Sequence, residues 1–123
     1  MSELDRIKTL ADKYFESLYD ANADEMAAIF HPNGMLYFAK GSETTVLSRD
    51  QYIDVLSARA SPRSQNAARR DELLGICINS PNVATITLRV LLSGKHYADQ
   101  LSLVREQGAW RIVAKLYYLL SEE

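Results

Sequence analysis

The chain has a single cysteine, Cys77. No intrachain disulfide can form, so the fold must rest on its core, and a lone thiol fits a reducing compartment. Histidine is scarce as well: His31 and His96 lie far apart with no carboxylate at ligand spacing, and no metal site is expected. The few glycines, Gly34, Gly41, Gly75, Gly94 and Gly108, make no phosphate-cradling loop, and there is no Ser-His-Asp order. No cofactor is expected. No apolar run approaches the roughly 20 residues needed to cross a bilayer. The opening MSELDRIKTL is acidic and helical, unlike the basic-then-apolar pattern of a signal peptide. A cytoplasmic location and no membrane partner are therefore expected.

What is present is the composition of an ordinary globular protein, 47% hydrophobic and 24% charged. A chain of 123 residues fits one domain, residues 1–123, with enough buried surface to stand without metal or disulfide. Fourteen Lys and Arg against sixteen Asp and Glu leave a net charge of −2. Nucleic acid is excluded as the main partner, because binding phosphate needs a concentrated positive field.

The first segment has a helical stripe, Leu4, Ile7, Ala11, Tyr14 and Leu18, widened by Leu10 and Phe15, with a Ser2–Asp5 capping signal. Asn22 ends this helix and starts a short second one, burying Met26, Ile29 and Phe30, that Pro32 is expected to stop. Met35–Phe38 reads as a strand, followed by a short strand near Thr44–Leu47. Ser48 and Gln51 form a capping box for a third helix, of which Tyr52, Val55, Leu56 and Arg59 share a face. A polar loop with Arg63, Arg69 and Arg70 follows.

The second half alternates as strands. Leu74, Ile76 and Ile78 share one face, and Ala84, Ile86, Leu88, Val90 and Leu92 share another. Tyr97, Asp99, Leu101 and Leu103 group together, and Trp110, Ile112, Ala114, Leu116 and Tyr118 are read as the inward set of the last strand. Helices first and hairpin-linked strands afterwards give an α+β fold, three helices packed on one face of a mostly antiparallel sheet. The other face carries Val104, Val113, Tyr117 and Cys77, apolar enough to suggest a homodimer through that outer face.

The segments YFESLYDANADEMAAIFHPNGMLYF, LSRDQYIDVLSARASP and YADQLSLVREQGAWRIVAKLYY resemble the nuclear transport factor 2-like superfamily, and within it the branch of putative lumazine-binding proteins. The resemblance spans Leu4 to Tyr118. It implies a cone-shaped, cystatin-like fold, a curved sheet wrapped by helices with a pocket at one end. Related branches include steroid isomerases, dehydratases, polyketide cyclases and non-catalytic binders, so the fold alone fixes no reaction. The steroid isomerase branch uses a carboxylate base and an oxyanion hole of a tyrosine and a protonated aspartic acid. Tyr14 falls at the oxyanion tyrosine and Asp99 at the neutral acid, but Phe38 falls at the base and cannot accept a proton.

Asp99 shares its face with apolar neighbours, and a carboxyl there must be hydrogen-bonded or keep its proton. It is read either as a pocket anchor or general acid, or as a structural aspartate satisfied by Tyr14, Tyr52 or a backbone amide. With Tyr14 it forms the candidate catalytic pair. The expected lining is Tyr14, Phe38, Tyr52, Tyr97 and Asp99, completed by Ile112, Ala114 and Leu116 from the last strand. His31, in the FHP turn, is assigned to the end of the second helix, and His96 to an exposed position. Trp110 is expected at one end of the core. Arg63, Arg69 and Arg70 either close over an anionic ligand or are balanced by Asp71 and Glu72. The leading reading is a small-molecule-binding domain. An acid–base enzyme of isomerase, dehydratase or cyclase type and a non-catalytic dimeric interaction module are the alternatives.

Overall fold

The computed structural model describes residues 1–122. Helix α1 (Glu3–Asp20) and α2 (Ala23–Ile29) lead into strands β1 (Phe30–Lys40) and β2 (Glu43–Ser48), then α3 (Arg49–Ser57) and a single 3-10 turn at Arg63–Gln65. Strands β3 (Arg70–Ser80), β4 (Val83–Leu92), β5 (Lys95–Glu106) and β6 (Ala109–Glu122) complete the chain. The six strands form one sheet in the order β2-β1-β6-β5-β4-β3, antiparallel throughout except where β1 runs parallel to β6. This is the expected α+β fold: helices on one face of a curved, mostly antiparallel sheet.

Local sequence sets the helix ends. Ser2 and Asp5 make a reciprocal capping box on α1, and Ser48 with Gln51 makes the same box on α3. Ala21 closes α1 in the left-handed conformation, and the Asn22 side chain caps α2. Helix α1 buries Ile7, Leu10, Ala11, Tyr14, Phe15 and Leu18. Burial of each large apolar side chain contributes roughly 1.5–3 kcal/mol. Leu88, Leu101, Leu103 and Ile112 meet that stripe from the sheet.

Three local expectations are corrected. Leu4 is exposed, because the buried stripe of α1 begins at Ile7. Val55 is exposed because α3 is turned so that Ile53, with Tyr52 and Leu56, faces the core. Helix α2 ends at Ile29, not at Pro32: Phe30 is already extended, and Pro32 lies in the irregular opening of β1. Pairing with β6 lapses between Phe30 and Met35. Gly34 sits in this bend, where an added Cβ would lie 3.0 Å from the His31 carbonyl oxygen and 3.1 Å from that of Ile112. Only glycine fits there without movement of backbone.

The correction that matters most lies in β6. Leu103 pairs with Ile112 but Ser102 pairs with Ala114, so Val113 is an extra residue, a bulge. From there to Leu119, where a second register shift follows, every side chain changes face. Lys115 pairs with the inward Leu101, and Tyr117 stands opposite Asp99. Ala114 and Leu116 therefore turn to the outer face, where Leu116 is 40% exposed, and Tyr118 goes with them. Tyr117 is conversely inward and half-buried, not on the outer face.

Candidate functional site

The site is assembled from both halves of the chain. Tyr14 comes from α1, Phe38 from β1, Tyr52 from α3, Tyr97 and Asp99 from β5, and Lys115 and Tyr117 from β6 beyond its bulge. All but Tyr14, expected on the wall but absent from it, border a cavity of about 130 Å³. Phe38, Tyr52, Tyr97, Asp99, Lys115 and Tyr117 lie on its wall, with Leu18, Val90, Leu92 and Arg59. A cavity of roughly 150 Å³ accepts benzene, so this space suits one six-membered ring.

Phe38 and Tyr117 stack, with ring centroids 4.8 Å apart and planes at 26°. Tyr97 meets both edge-on, at 6.4 Å and 6.2 Å. The result is an aromatic wall with hydroxyls at its margins. Behind it, Tyr14 is wholly buried and its hydroxyl donates to Oδ2 of Asp99 in a short hydrogen bond. Asp99 is 1% exposed, and its Oδ1 has no partner among the described residues.

Lys115 is the residue that alternation missed. Its ammonium lies 3.9 Å from Asp99 Oδ2 and donates to the Tyr52 hydroxyl at 3.5 Å. It also sits over the rings of Tyr117, Tyr52 and Tyr14, at 4.5, 5.0 and 5.2 Å from their centroids. The negative ring faces and the carboxylate replace part of the water a buried ammonium gives up. Burial works against the charged form of Lys115, but Tyr52, Asp99 and Tyr117 outweigh it and hold its pKa above the ordinary lysine value. Burial pushes the Asp99 carboxyl upward, against the opposing pull of Lys115 and the Tyr14 hydroxyl. Tyr14 is raised well above its usual value, first by burial and then by Asp99. The centre thus holds a cation, a carboxyl whose proton is held more tightly than usual, and a neutral phenol.

Of the other expected lining residues, Ile112 is packed in the core, while Ala114 and Leu116 are on the far side of the sheet. His31 does not end α2. It lies in β1, where its Nδ1 accepts from the Asn33 amide and its Nε2 meets Glu106 at 3.1 Å. His96 is half-buried rather than exposed. Trp110 is buried at one end of the core, its indole N–H donating to Glu3. Arg63 and Arg69 close on the ring of Tyr19, at 4.9 and 5.0 Å, and pair with Glu16, Asp20 and Asp71. They pin the loop to α1 and are absent from the cavity wall, as is Arg70. Among the described residues no group of His, Cys, Asp and Glu could hold a metal ion. No helix is long and apolar enough to cross a membrane.

Residues 2–118 match the model of a family described as putative lumazine-binding. The chain belongs to that family. No curated protein matches it. Its fold is shared with solved structures of low identity. An NTF2-like protein of unknown function from Silicibacter pomeroyi DSS-3 is 18% identical, with a TM-score of 0.84 over 97% of this chain and 99% of that one. Another from Shewanella baltica OS155 is 20% identical, with a TM-score of 0.86 over 98% and 95%. A ketosteroid isomerase-like protein from Erwinia carotovora atroseptica SCRI1043 is 16% identical, with a TM-score of 0.77 over 98% of each chain. At such identities the likeness is one of fold, the NTF2-like fold.

Proposed function

We propose that this family member binds a small planar molecule in the aromatic cavity, with the molecule's polar edge toward Asp99 and Lys115. The observation that carries this reading is the Oδ1 of Asp99, unpartnered among the described residues, on a carboxyl that lines the cavity, beside a buried ammonium that reaches the Tyr52 hydroxyl only in a long hydrogen bond, 3.5 Å. A buried polar atom without a partner is costly, and a ligand that brings a donor for Asp99 and an acceptor for Lys115 removes that cost. The aromatic wall supplies the rest of the affinity. The lumazine in the family's description, a pteridine, carries such alternating donors and acceptors on its ring edge. A two-ring molecule would extend from a space of about 130 Å³ toward the mouth.

Benzamide is a suitable probe, since one ring carries both an N–H donor and a carbonyl acceptor. In an NMR titration, the ring signals of Tyr14, Tyr52 and Tyr117 and the Lys115 ε-methylene should move together. Perturbation confined to surface residues at saturating benzamide would dismiss the reading.

Acid–base chemistry at the same centre is the second reading, favoured by the raised carboxyl of Asp99 next to a phenol. Phe38 supplies no base, and Lys115, held protonated, would act as an electrostatic group. We further propose that the outer sheet face joins two copies of this chain. Val46, Leu116 and Tyr118 are 47%, 40% and 41% exposed there, and Tyr37 bridges Val46 to Leu116 in the ladder.

A further inference from the structure

We propose that the ligand is an anion: a single aromatic or heteroaromatic ring bearing a carboxylate. This rests on the binding reading above and adds the charge of the bound molecule. A second, open hollow shares Arg59, Leu92 and Tyr97 with the aromatic cavity and adds Lys95. The shared walls make the hollow a vestibule to the cavity. Along this path the charged side chains are Arg59, Lys95 and Lys115 on one side of the balance and Asp99 alone on the other.

The excess is local, since the whole chain carries −2. It is also unneutralised. Arg6, Arg49, Arg63, Arg69 and Arg105 all face carboxylates within ion-pair distance. Neither Arg59 nor Lys95 makes an ion pair among the described residues, although Glu122 stands opposite Lys95 in the β5–β6 ladder. A cleft lined by one sign of charge, with low-dielectric walls, draws in and holds the opposite charge. Arg59 has the planar fork that suits a carboxylate. The ring would lie along Phe38, Tyr97 and Tyr117, with its polar edge toward Asp99 and Lys115 and its carboxylate at the other end, toward Arg59 and Lys95.

The test compares benzoate with benzamide, its neutral near-isostere, by NMR titration at neutral pH and low salt. Benzoate should bind at least about tenfold more tightly, and added salt should erode that advantage. In the double variant Arg59→Gln/Lys95→Gln, both positions exposed, the benzoate-to-benzamide ratio should fall below about threefold. Equal affinities for the two probes, or a ratio insensitive to both salt and the double variant, would overturn the anion assignment while leaving the cavity as a binding site. Binding of neither probe would remove the binding reading as well.

Discussion

Lys115 and Asp99 approach to 3.9 Å although 16 positions separate them in sequence and each is almost wholly buried. Lys115 is on the inward face only because of the Val113 bulge, and Asp99 is held from behind by Tyr14. Charge, phenol and carboxyl therefore form one unit, and altering any member changes the other two.

Lys115→Met removes the cation that lowers the Asp99 pKa, so the carboxyl should titrate at higher pH in the variant than in the wild type. Stability at neutral pH should fall by about 3 kcal/mol, less in acid where Asp99 is protonated. Carboxyl-detected NMR and urea unfolding at two pH values check both parts. An unchanged Asp99 titration would count against the pairing.

Asp99→Asn probes linkage directly. A carboxyl whose folded pKa is raised stabilises the protein most below its unfolded value, and that stabilisation is lost as pH rises through the folded value. The variant has no such term. Its stability relative to wild type should therefore increase as pH rises from about 4, the ordinary carboxylate value, toward neutrality. Chemical denaturation across that range measures the difference, and a flat or falling difference would contradict the raised pKa.

Tyr14→Phe keeps the ring in the core and deletes the donor to Asp99 Oδ2. Loss of one partner from a buried pair costs about 1–3 kcal/mol. A variant with wild-type unfolding free energy would show that the short contact contributes nothing to stability.

Gly34→Ala places a methyl group against two backbone oxygens and the Phe30 ring, at 3.0, 3.1 and 3.2 Å. Backbone must shift, at an expected cost of about 1–3 kcal/mol. Gly75, with open space around its Cβ position, is the control: the same change there should alter the melting temperature little.

Leu116→Lys tests the outer face. Leu116 is 40% exposed, so the substitution leaves the core intact. Sedimentation should show dimeric wild type and monomeric variant. Monomeric wild type would end the dimer proposal.

Much of the fold was legible because local signals agreed. Ser2 with Asp5 and Ser48 with Gln51 announce helix starts, Gly94 and Gly108 mark tight turns, and β4 alternates without interruption from Ala84 to Val90. Asp99 could be placed inward because β5 keeps strict alternation from Asp99 to Leu103. Lys115 could not be placed, for a physical reason. From Val113 to Leu120 the chain is apolar at both parities apart from Lys115, so periodicity does not choose a face. Bulges arise from pairing with β5 and β1, which are remote in sequence. Arg59 and Lys95 meet at one vestibule only through the folded arrangement of α3 and the β4–β5 turn.

The extra residue in β6 also bears on how this scaffold diversifies. Were β6 to pair evenly beyond Ile112 with no residue removed, a slip of one position would carry Leu116 to the place opposite Asp99 and send Lys115 and Tyr117 to the surface. A basic, phenol-rich chamber would become a greasy one through that slip alone, and the chain's exterior would acquire the discarded chemistry.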